Sequence, residues 1–257
     1  MPNGLRIERD GDVASIVFAR EKGINVLSSW LLNELDAAWT EATQGSTRVC
    51  ILRGEGKAFM AGADIKEMSA LDGKSAREFA ALGQRVFDKI EHSPVVSIAA
   101  IHGAALGGGC ELALACDIRL GSTGMLIGQP EVNLGLVPGF GGSQRLPRVV
   151  GTGWALRMIL TGETFNETSA HQAGLITEYV DPAALVAHAQ KLAQTILSRG
   201  PKAVQIAKRL TRLAFDLRQD AGLETERDAF GETFETGEAR EGMQAFIEKR
   251  APKFKHE

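Results

Sequence analysis

The chain has 257 residues, and 44% of them are hydrophobic. That is enough for a packed core in one large domain, or in a domain with an appended subdomain. The formal net charge is −3, so no overall positive field would attract nucleic acid or an anionic membrane. We therefore expect any phosphate-bearing ligand to be held by local groups.

The three cysteines, Cys50, Cys110 and Cys116, are odd in number and form no CxxC pair. This pattern predicts buried thiols in a reducing compartment rather than a disulfide framework or a zinc site. The first residues lack the basic and apolar regions of a signal peptide, and no run reaches the ~18 apolar residues that span a bilayer. We expect a soluble protein in the cytoplasm.

The first half of the chain predicts alternating strands and helices. A hairpin opens the fold, because residues 10–12 form an Asp-Gly-Asp turn between two strand-like runs. Ser28 or Ser29 can cap the next helix. The predicted strands cover 5–9, 13–18, 49–52, 97–101, 118–120 and 125–127, and the predicted helices cover 31–42, 75–92 and 110–116. This alternation favours parallel pairing with right-handed crossovers.

From residue 151 onward the pattern becomes almost wholly helical, with a soft boundary near residues 160–165. The predicted helices cover 154–160, 169–173, 182–197, 202–215, 223–234 and 240–250. An α/β core that carries a helical C-terminal portion is the architecture that the sequence favours.

The stretch 98–142 carries the strongest functional signals. Three glycines, 107–109, follow a buried strand and precede a predicted helix. Glycines allow a ligand or another backbone to approach closely, and amides at a helix start can stabilise a carbonyl oxygen that becomes negative. A second small-residue segment, 60–64, also leads into a helix. If the two segments converge, they form an oxyanion hole.

Two carboxylates lie beside these glycine-rich segments. Glu111 is near a helix start, where the dipole favours the anion, so we expect it to stay ionised and to act as a base. Glu131 follows Pro130 in an apolar setting, so we expect burial to raise its pKa and let it deliver a proton. Each also has a purely structural interpretation, Glu111 as a charge that complements the dipole and Glu131 as a turn charge.

Four segments, 57–68, 103–111, 128–131 and 136–146, closely resemble the enoyl-CoA hydratase (crotonase) family in their order and spacing. The resemblance covers about residues 5–254. It implies an α/β, crotonase-like spiral of ββα units, an acyl thioester of coenzyme A as substrate, and no separate cofactor, since coenzyme A is part of the substrate. It also implies a helical C-terminal trimerisation portion and a homotrimer or a homohexamer built as a dimer of trimers. We accordingly assign 1–195 to the core with the acyl-CoA site and 196–257 to oligomerisation.

The resemblance also implies roles for single residues. It places the amides of Ala61 and Gly108 on the thioester oxygen and Gly139 at the catalytic water. It matches Glu111 and Glu131 to the two catalytic carboxylates of the family's hydratases. The implied substrate-binding residues are Lys57, Ala61, Gly62, Ala63, Asp64, Ile65 and Gly108, with Lys66 as a further candidate for the nucleotide and Phe246 and Lys249 reaching a neighbouring subunit's nucleotide. The sequence also favours Asp64 as a helix cap.

Having both glutamates favours hydration of a 2-trans-enoyl-CoA. A Δ3-Δ2 enoyl-CoA isomerase is the nearest alternative, because one carboxylate can shuttle a proton between C2 and C4. A few relatives bind RNA, and the support for that here is four cations on one predicted helix: Lys202, Lys208, Arg209 and Arg212.

We expect Met60, the 79–86 helix and Phe140 to form the walls of the acyl pocket. No full dinucleotide motif, nucleophile elbow or metal spacing is present.

Overall fold

The structure is a computed structural model that describes residues 4–19 and 24–254. The strands are β1 (Leu5–Asp10), β2 (Val13–Phe18), β3 (Val49–Gly54), β4 (Ala58–Met60), β5 (Val96–Ile101), β6 (Ala104–Leu106), β7 (Ile118–Ser122), β8 (Leu126–Gly128), β9 (Thr164–Asn166) and β10 (Glu178–Val180). The helices are α1 (Ser29–Ala42), α2 (Ile65–Met68), α3 (Gly73–Glu91), α4 (Gly108–Ala115), α5 (Gly142–Thr161), α6 (Glu167–Gln172), α7 (Leu185–Leu197), α8 (Pro201–Leu213), α9 (Gln219–Glu235) and α10 (Glu238–Ile247). Glu131–Leu134 and Pro182–Ala184 form 3-10 turns.

The strands form two sheets, a six-stranded one ordered β1-β2-β3-β5-β7-β10 and a four-stranded one ordered β4-β6-β8-β9. In three successive units, β3–β4, β5–β6 and β7–β8, the first strand joins the larger sheet and the second joins the smaller one. A helix follows each pair: α3, α4 and α5 respectively. This repetition confirms the predicted spiral of ββα units.

The inner strands β2, β3, β5 and β7 of the larger sheet are buried on both faces, which explains their apolar runs. In β5 the side chains of Ala99 and Ile101 belong to the main core with helices α1, α3 and α4. The alternate residues Ile98 and Ala100 belong to a second core that packs against α7. Packing on both faces therefore fixes the C-terminal end of β5 and, with it, the position of the glycines that follow.

The predicted opening hairpin, the Ser28 cap and the parallel pairing of β2 with β3 are confirmed. Strands β4, β6, β9 and β10 were not predicted, because three residues are too few to show a period. Helix α4 begins at Gly108 rather than at residue 110. Helix α5 begins at Gly142, well before the predicted 154, since Pro147 and the non-helical Gly151 (φ 76°, ψ 160°) interrupt its pattern.

The C-terminal helices α8, α9 and α10 pack in series. Three of the cations behind the RNA-binding alternative form ion pairs within the chain. Lys208 and Arg212 pair with Asp117, Arg212 also pairs with Glu91, and Arg209 pairs with Glu232. The three cysteines are buried, as predicted. Within residues 4–19 and 24–254, no helix has both the length and the apolar character needed to cross a bilayer. The assignment of 1–195 and 196–257 to separate regions stays a prediction.

Candidate active site

The two small-residue segments meet in the structure. Strand β4 pairs in parallel with β6, which leads directly into the glycines. A Cβ on Gly109 would lie 2.0 Å from the carbonyl oxygen of Met60, so only glycine allows helix α4 to approach β4 this closely. The convergence that an oxyanion hole requires is therefore present.

The other two glycines border the reactive groups. Gly107 has φ 51°, and a Cβ there would lie 3.1 Å from the Oε1 of Glu131. A Cβ on Gly108 would lie 3.1 Å from the ring of Phe140. The glycines thus leave space between the start of α4, Glu131 and Phe140.

The structure disagrees with the prediction that the amide of Ala61 binds the substrate oxygen, because that amide already has a partner. The N–H of Ala61 donates to the carbonyl oxygen of Asn25 at 2.8 Å, so it is already used. The C=O of Gly62 accepts from the N–H of Leu27, and the N–H of Asp64 donates to the C=O of Leu27. Ala63, which lies between them in the bridge to Leu27, therefore points its own N–H away from that partner.

Two unused amides face the same region. Within the described ranges, the N–H groups of Ala63 and Gly108 donate to no protein acceptor. Gly108 is the first residue of α4, where an N–H has no intrahelical partner. Both residues line one cavity, so Ala63, rather than Ala61, is the counterpart of Gly108.

Glu111 lies behind the cavity wall and is 1% exposed. Its Oε1 accepts hydrogen bonds from the amides of Phe140 (2.8 Å) and Gly142 (2.7 Å). Gly142 is the first residue of α5, so the carboxylate lies at that helix's positive end. Its Oε2 accepts no hydrogen bond from the described residues, which leaves this oxygen for a water molecule.

The expected ionisation of Glu111 is corrected by the structure. Burial raises the pKa of Glu111 to about 7, because desolvation outweighs the two amide hydrogen bonds, and the neighbouring charge of Glu131 adds to the rise. The helix dipole therefore does not hold this carboxyl fully ionised at neutral pH. A pKa near the working pH suits a group that must accept and release a proton.

Glu131 is the first residue of a 3-10 turn and lines the cavity. Burial raises its pKa, as predicted. With its amide nitrogen facing Glu131, Gln129 donates to both carboxylate oxygens, at 2.8 and 3.2 Å. Gln129 is completely buried. Sequence reasoning missed this contact, although Gln129 precedes Pro130 and Glu131 in a segment that carries the family resemblance.

The cavity has a volume of about 890 Å³. The predicted site residues that line it are Ala61, Gly62, Ala63, Asp64, Ile65, Lys66, Gly108, Glu131 and Gly139. Of the predicted walls, Phe140 and the Phe79 turn of α3 contribute, whereas Met60 is fully buried beneath the site. Lys57 is exposed and lies outside the lining.

Two neighbouring polar residues have structural partners. Asp64 caps α2, since its Oδ1 accepts from the amides of Lys66 and Glu67. The ring of His102 lies 3.2 Å from the carbonyl oxygen of Gly56, so it has a backbone partner.

Comparison with known proteins agrees with this geometry. Residues 8–257 match the family model described as enoyl-CoA hydratase/isomerase. The chain is 42% identical over 250 residues to the short-chain-enoyl-CoA hydratase of Clostridium acetobutylicum and to the crotonyl-CoA hydratase of Syntrophomonas wolfei, with 96% of each chain covered in both cases. A solved structure of an enoyl-CoA hydratase from Bacillus anthracis superposes with a TM-score of 0.94 at 37% identity, covering 99% of this chain and 100% of that one. With its crotonase fold, paired carboxylates and converging amides, the chain is an enzyme that belongs to the enoyl-CoA hydratase/isomerase family.

Proposed function

We propose that this enzyme adds water across the double bond of a 2-trans-enoyl-CoA to give a 3-hydroxyacyl-CoA. The observation that carries the proposal is the presence of two carboxylates, Glu111 and Glu131, beside two unused amides in one site. The two relatives described above are named as hydratases of short-chain enoyl-CoA and crotonyl-CoA, which supports the same reaction.

The amides of Ala63 and Gly108 would donate to the thioester carbonyl oxygen. Their hydrogen bonds strengthen as charge moves onto that oxygen, so they stabilise the enolate more than the substrate. Removal of one such donor typically lowers the rate by about 10²–10³. Polarisation of the carbonyl makes C3 of the enoyl group electrophilic.

The two carboxylates divide the proton transfers. The free Oε2 of ionised Glu111 takes a proton from a water molecule, whose oxygen forms the bond to C3. Gly139, predicted to lie at this water, lines the cavity. The π electrons pass to C2 and the carbonyl as an enolate, and protonated Glu131 then donates its proton to C2. Exchange with solvent restores both carboxyl groups before the next turnover. A positioned acid or base contributes about 10²–10⁴ to the rate.

Binding and assembly follow from the exposed surface. Lys66 lines the cavity and would attract the phosphates of coenzyme A, with exposed Lys57 as a second candidate. Phe246 on α10 is 84% exposed, and Lys249 follows it with φ 54°. Other exposed apolar side chains on α9 and α10 are Phe230, Phe234 and Ile247. A group of this kind favours burial against another copy of the chain, so we propose a homotrimer or homohexamer in which Phe246 and Lys249 reach a neighbour's nucleotide. The three free, buried cysteines support a location in the reducing environment of the cytoplasm.

Isomerisation of a 3-enoyl-CoA is the second candidate, because Glu131, unlike Glu111, lines the cavity and could by itself move a proton between C2 and C4. Nucleic-acid binding has less support, since three of its four cations, Lys208, Arg209 and Arg212, pair with acidic side chains of the same chain. Absence of salt-sensitive RNA retention would dismiss it.

The deciding experiment compares crotonyl-CoA with a 3-enoyl-CoA in one preparation by ultraviolet absorbance. A hydratase removes the conjugated absorbance of crotonyl-CoA, whereas an isomerase creates it from the 3-enoyl substrate. We expect hydration to dominate, and the product made in D₂O to carry deuterium at C2. Conversion of the 3-enoyl substrate without hydration of crotonyl-CoA would assign the isomerase instead.

A further inference from the structure

Arg145 lies on α5 behind the cavity wall and is 8% exposed. It is absent from the cavity lining. Its guanidinium makes three separate contacts: Nη1 donates to the carbonyl oxygen of Phe140 at 2.9 Å, Nε donates to Glu91 at 2.6 Å, and Nη2 donates to Asp88. A planar fork of fixed donors suits such a three-way arrangement, which the point charge of a lysine cannot reproduce.

The contact with Phe140 leads directly to the site. Phe140 accepts from Arg145 through its C=O and donates to Glu111 through its N–H. A Cβ on the next residue, Gly141, would lie 2.2 Å from Nη1 of Arg145, so a glycine is needed for the guanidinium to reach the loop. Phe140 thus connects Arg145 to the carboxylate of Glu111.

The charges around Glu111 come from several elements. Glu131 approaches from the 3-10 turn and Arg145 from α5, and both change the pKa of Glu111, the glutamate raising it and the arginine lowering it. The neutral thiol of Cys110 is adjacent on α4. From α3, Asp88 and Glu91 face Arg145, and Arg212 of α8 pairs with the other oxygen of Glu91.

We propose that Arg145 is a positioning residue for the reaction: it holds the Phe140 peptide that orients Glu111 and supplies the buried positive charge that keeps this carboxyl able to ionise. This inference rests on the proposed role of Glu111 as base. Because Arg145 does not line the cavity, it acts through the loop and through its charge.

The test compares Arg145→Gln with Arg148→Gln, a matched control one turn further along α5. Arg148 is half exposed and bonds to Gln144 and Asp216, away from the loop. Two readouts are taken: the acidic limb of the kcat/KM profile for crotonyl-CoA, and the carboxyl titration of Glu111 in the free enzyme by ¹³C NMR, assigned with Glu111→Gln.

In Arg145→Gln both readouts move to higher pH by about one unit, because an opposite charge that favoured the anion is gone. kcat at neutral pH falls while KM changes less than about twofold, since Arg145 lies outside the cavity lining. Arg145→Lys retains the charge and brings the acidic limb back toward the wild-type position. Arg148→Gln leaves both readouts unchanged.

Glu91→Gln supplies a change of opposite sign and covers the case in which Arg145→Gln does not fold. Removing this anion beside Arg145 moves the Glu111 titration to lower pH, which a merely structural role would not do. An unchanged titration in folded Arg145→Gln, or an unchanged or upward shift in Glu91→Gln, overturns the proposal. Because the NMR titration needs no substrate, it decides the role of Arg145 even if the wild-type enzyme fails to hydrate crotonyl-CoA.

Discussion

The two sides of the cavity hold their carboxylates in different ways. Glu111 is almost completely buried, and two backbone amides and the start of the 20-residue helix α5 hold one of its oxygens. Glu131 lies on a four-residue 3-10 turn, lines the cavity and contacts the side chain of Gln129. The rigid side suits a base that must orient water, and the more open side suits an acid that must reach carbon. Burial raises the pKa of both groups, and what differs is their support: backbone amides hold Glu111, whereas a side chain contacts Glu131.

The largest expected effect is on turnover. Glu111→Gln and Glu131→Gln should each lower kcat for crotonyl-CoA by at least about 10², with little change in ligand affinity, because each removes a proton carrier and keeps the shape of the side chain. Steady-state kinetics and binding of a saturated acyl-CoA measure the two quantities. The exposed Glu226→Gln on α9 serves as the control. Near-normal turnover in either variant would remove that residue from the mechanism.

The second expected effect is on the free energy of unfolding. Raising the pH should lower this free energy in the wild type through Glu111, but not in Glu111→Gln. The folded-state pKa of Glu111 is about 7 against an ordinary 4.5, so wild-type stability is lost as the pH rises through this window. Glutamine cannot ionise, yet its oxygen can still accept from Phe140 and Gly142. Glu111→Gln should therefore gain up to about 3 kcal/mol over wild type above pH 7, and almost nothing at pH 4.5.

Denaturant unfolding at several pH values measures this difference. The less buried Glu131→Gln should show a smaller pH-dependent gain. If the two variants gained equally, the contrast between the buried and the open side of the cavity would be wrong.

The third prediction uses the glycine that borders Glu131. Gly107→Ala strains a backbone with φ 51° and pushes a methyl group toward the carboxylate, so we expect turnover to fall about tenfold and stability by about 1–3 kcal/mol. Gly124→Ala is the matched control, since Gly124 also has positive φ but has no neighbour within 4 Å of the added Cβ. That variant should lose comparable stability and keep its turnover. Equal losses of turnover would show that strain, rather than contact with Glu131, is responsible.

The smallest expected effect is on nucleotide binding. Lys66→Ala should raise KM by about two- to fivefold without changing kcat, because exposed charge pairs contribute little in water. The effect should weaken with added salt. Comparison with Lys57→Ala tests which lysine contacts the phosphates, and Lys191→Ala on α7 is the control. A larger rise in KM for Lys57→Ala than for Lys66→Ala would contradict the cavity lining, which favours Lys66 as the phosphate contact.

The sequence is sufficient to predict most elements that position the site. Hairpin β1–β2, the cap of α1 and the long strands of the larger sheet have local signals, because turn chemistry and continuous apolar runs are readable within a few residues. The pairing of Glu111 with Glu131 was also predictable, although through resemblance to a family rather than through spacing. Strands β4, β6, β9 and β10 were missed because three residues show no periodicity.

The choice among neighbouring amides depends on partners that are distant in sequence. Ala61 and Ala63 are identical in type and two residues apart. The carbonyl oxygen of Asn25 accepts from the N–H of Ala61, whereas that of Leu27 accepts from Asp64 and leaves the N–H of Ala63 free. The ionisation of Glu111 is similar: a local dipole predicts an anion, whereas burial beneath Phe140 and beside Glu131 raises its pKa. Hydrogen-bond occupancy and desolvation are properties of contacts made on folding, so they become visible only when the packed chain brings those groups together.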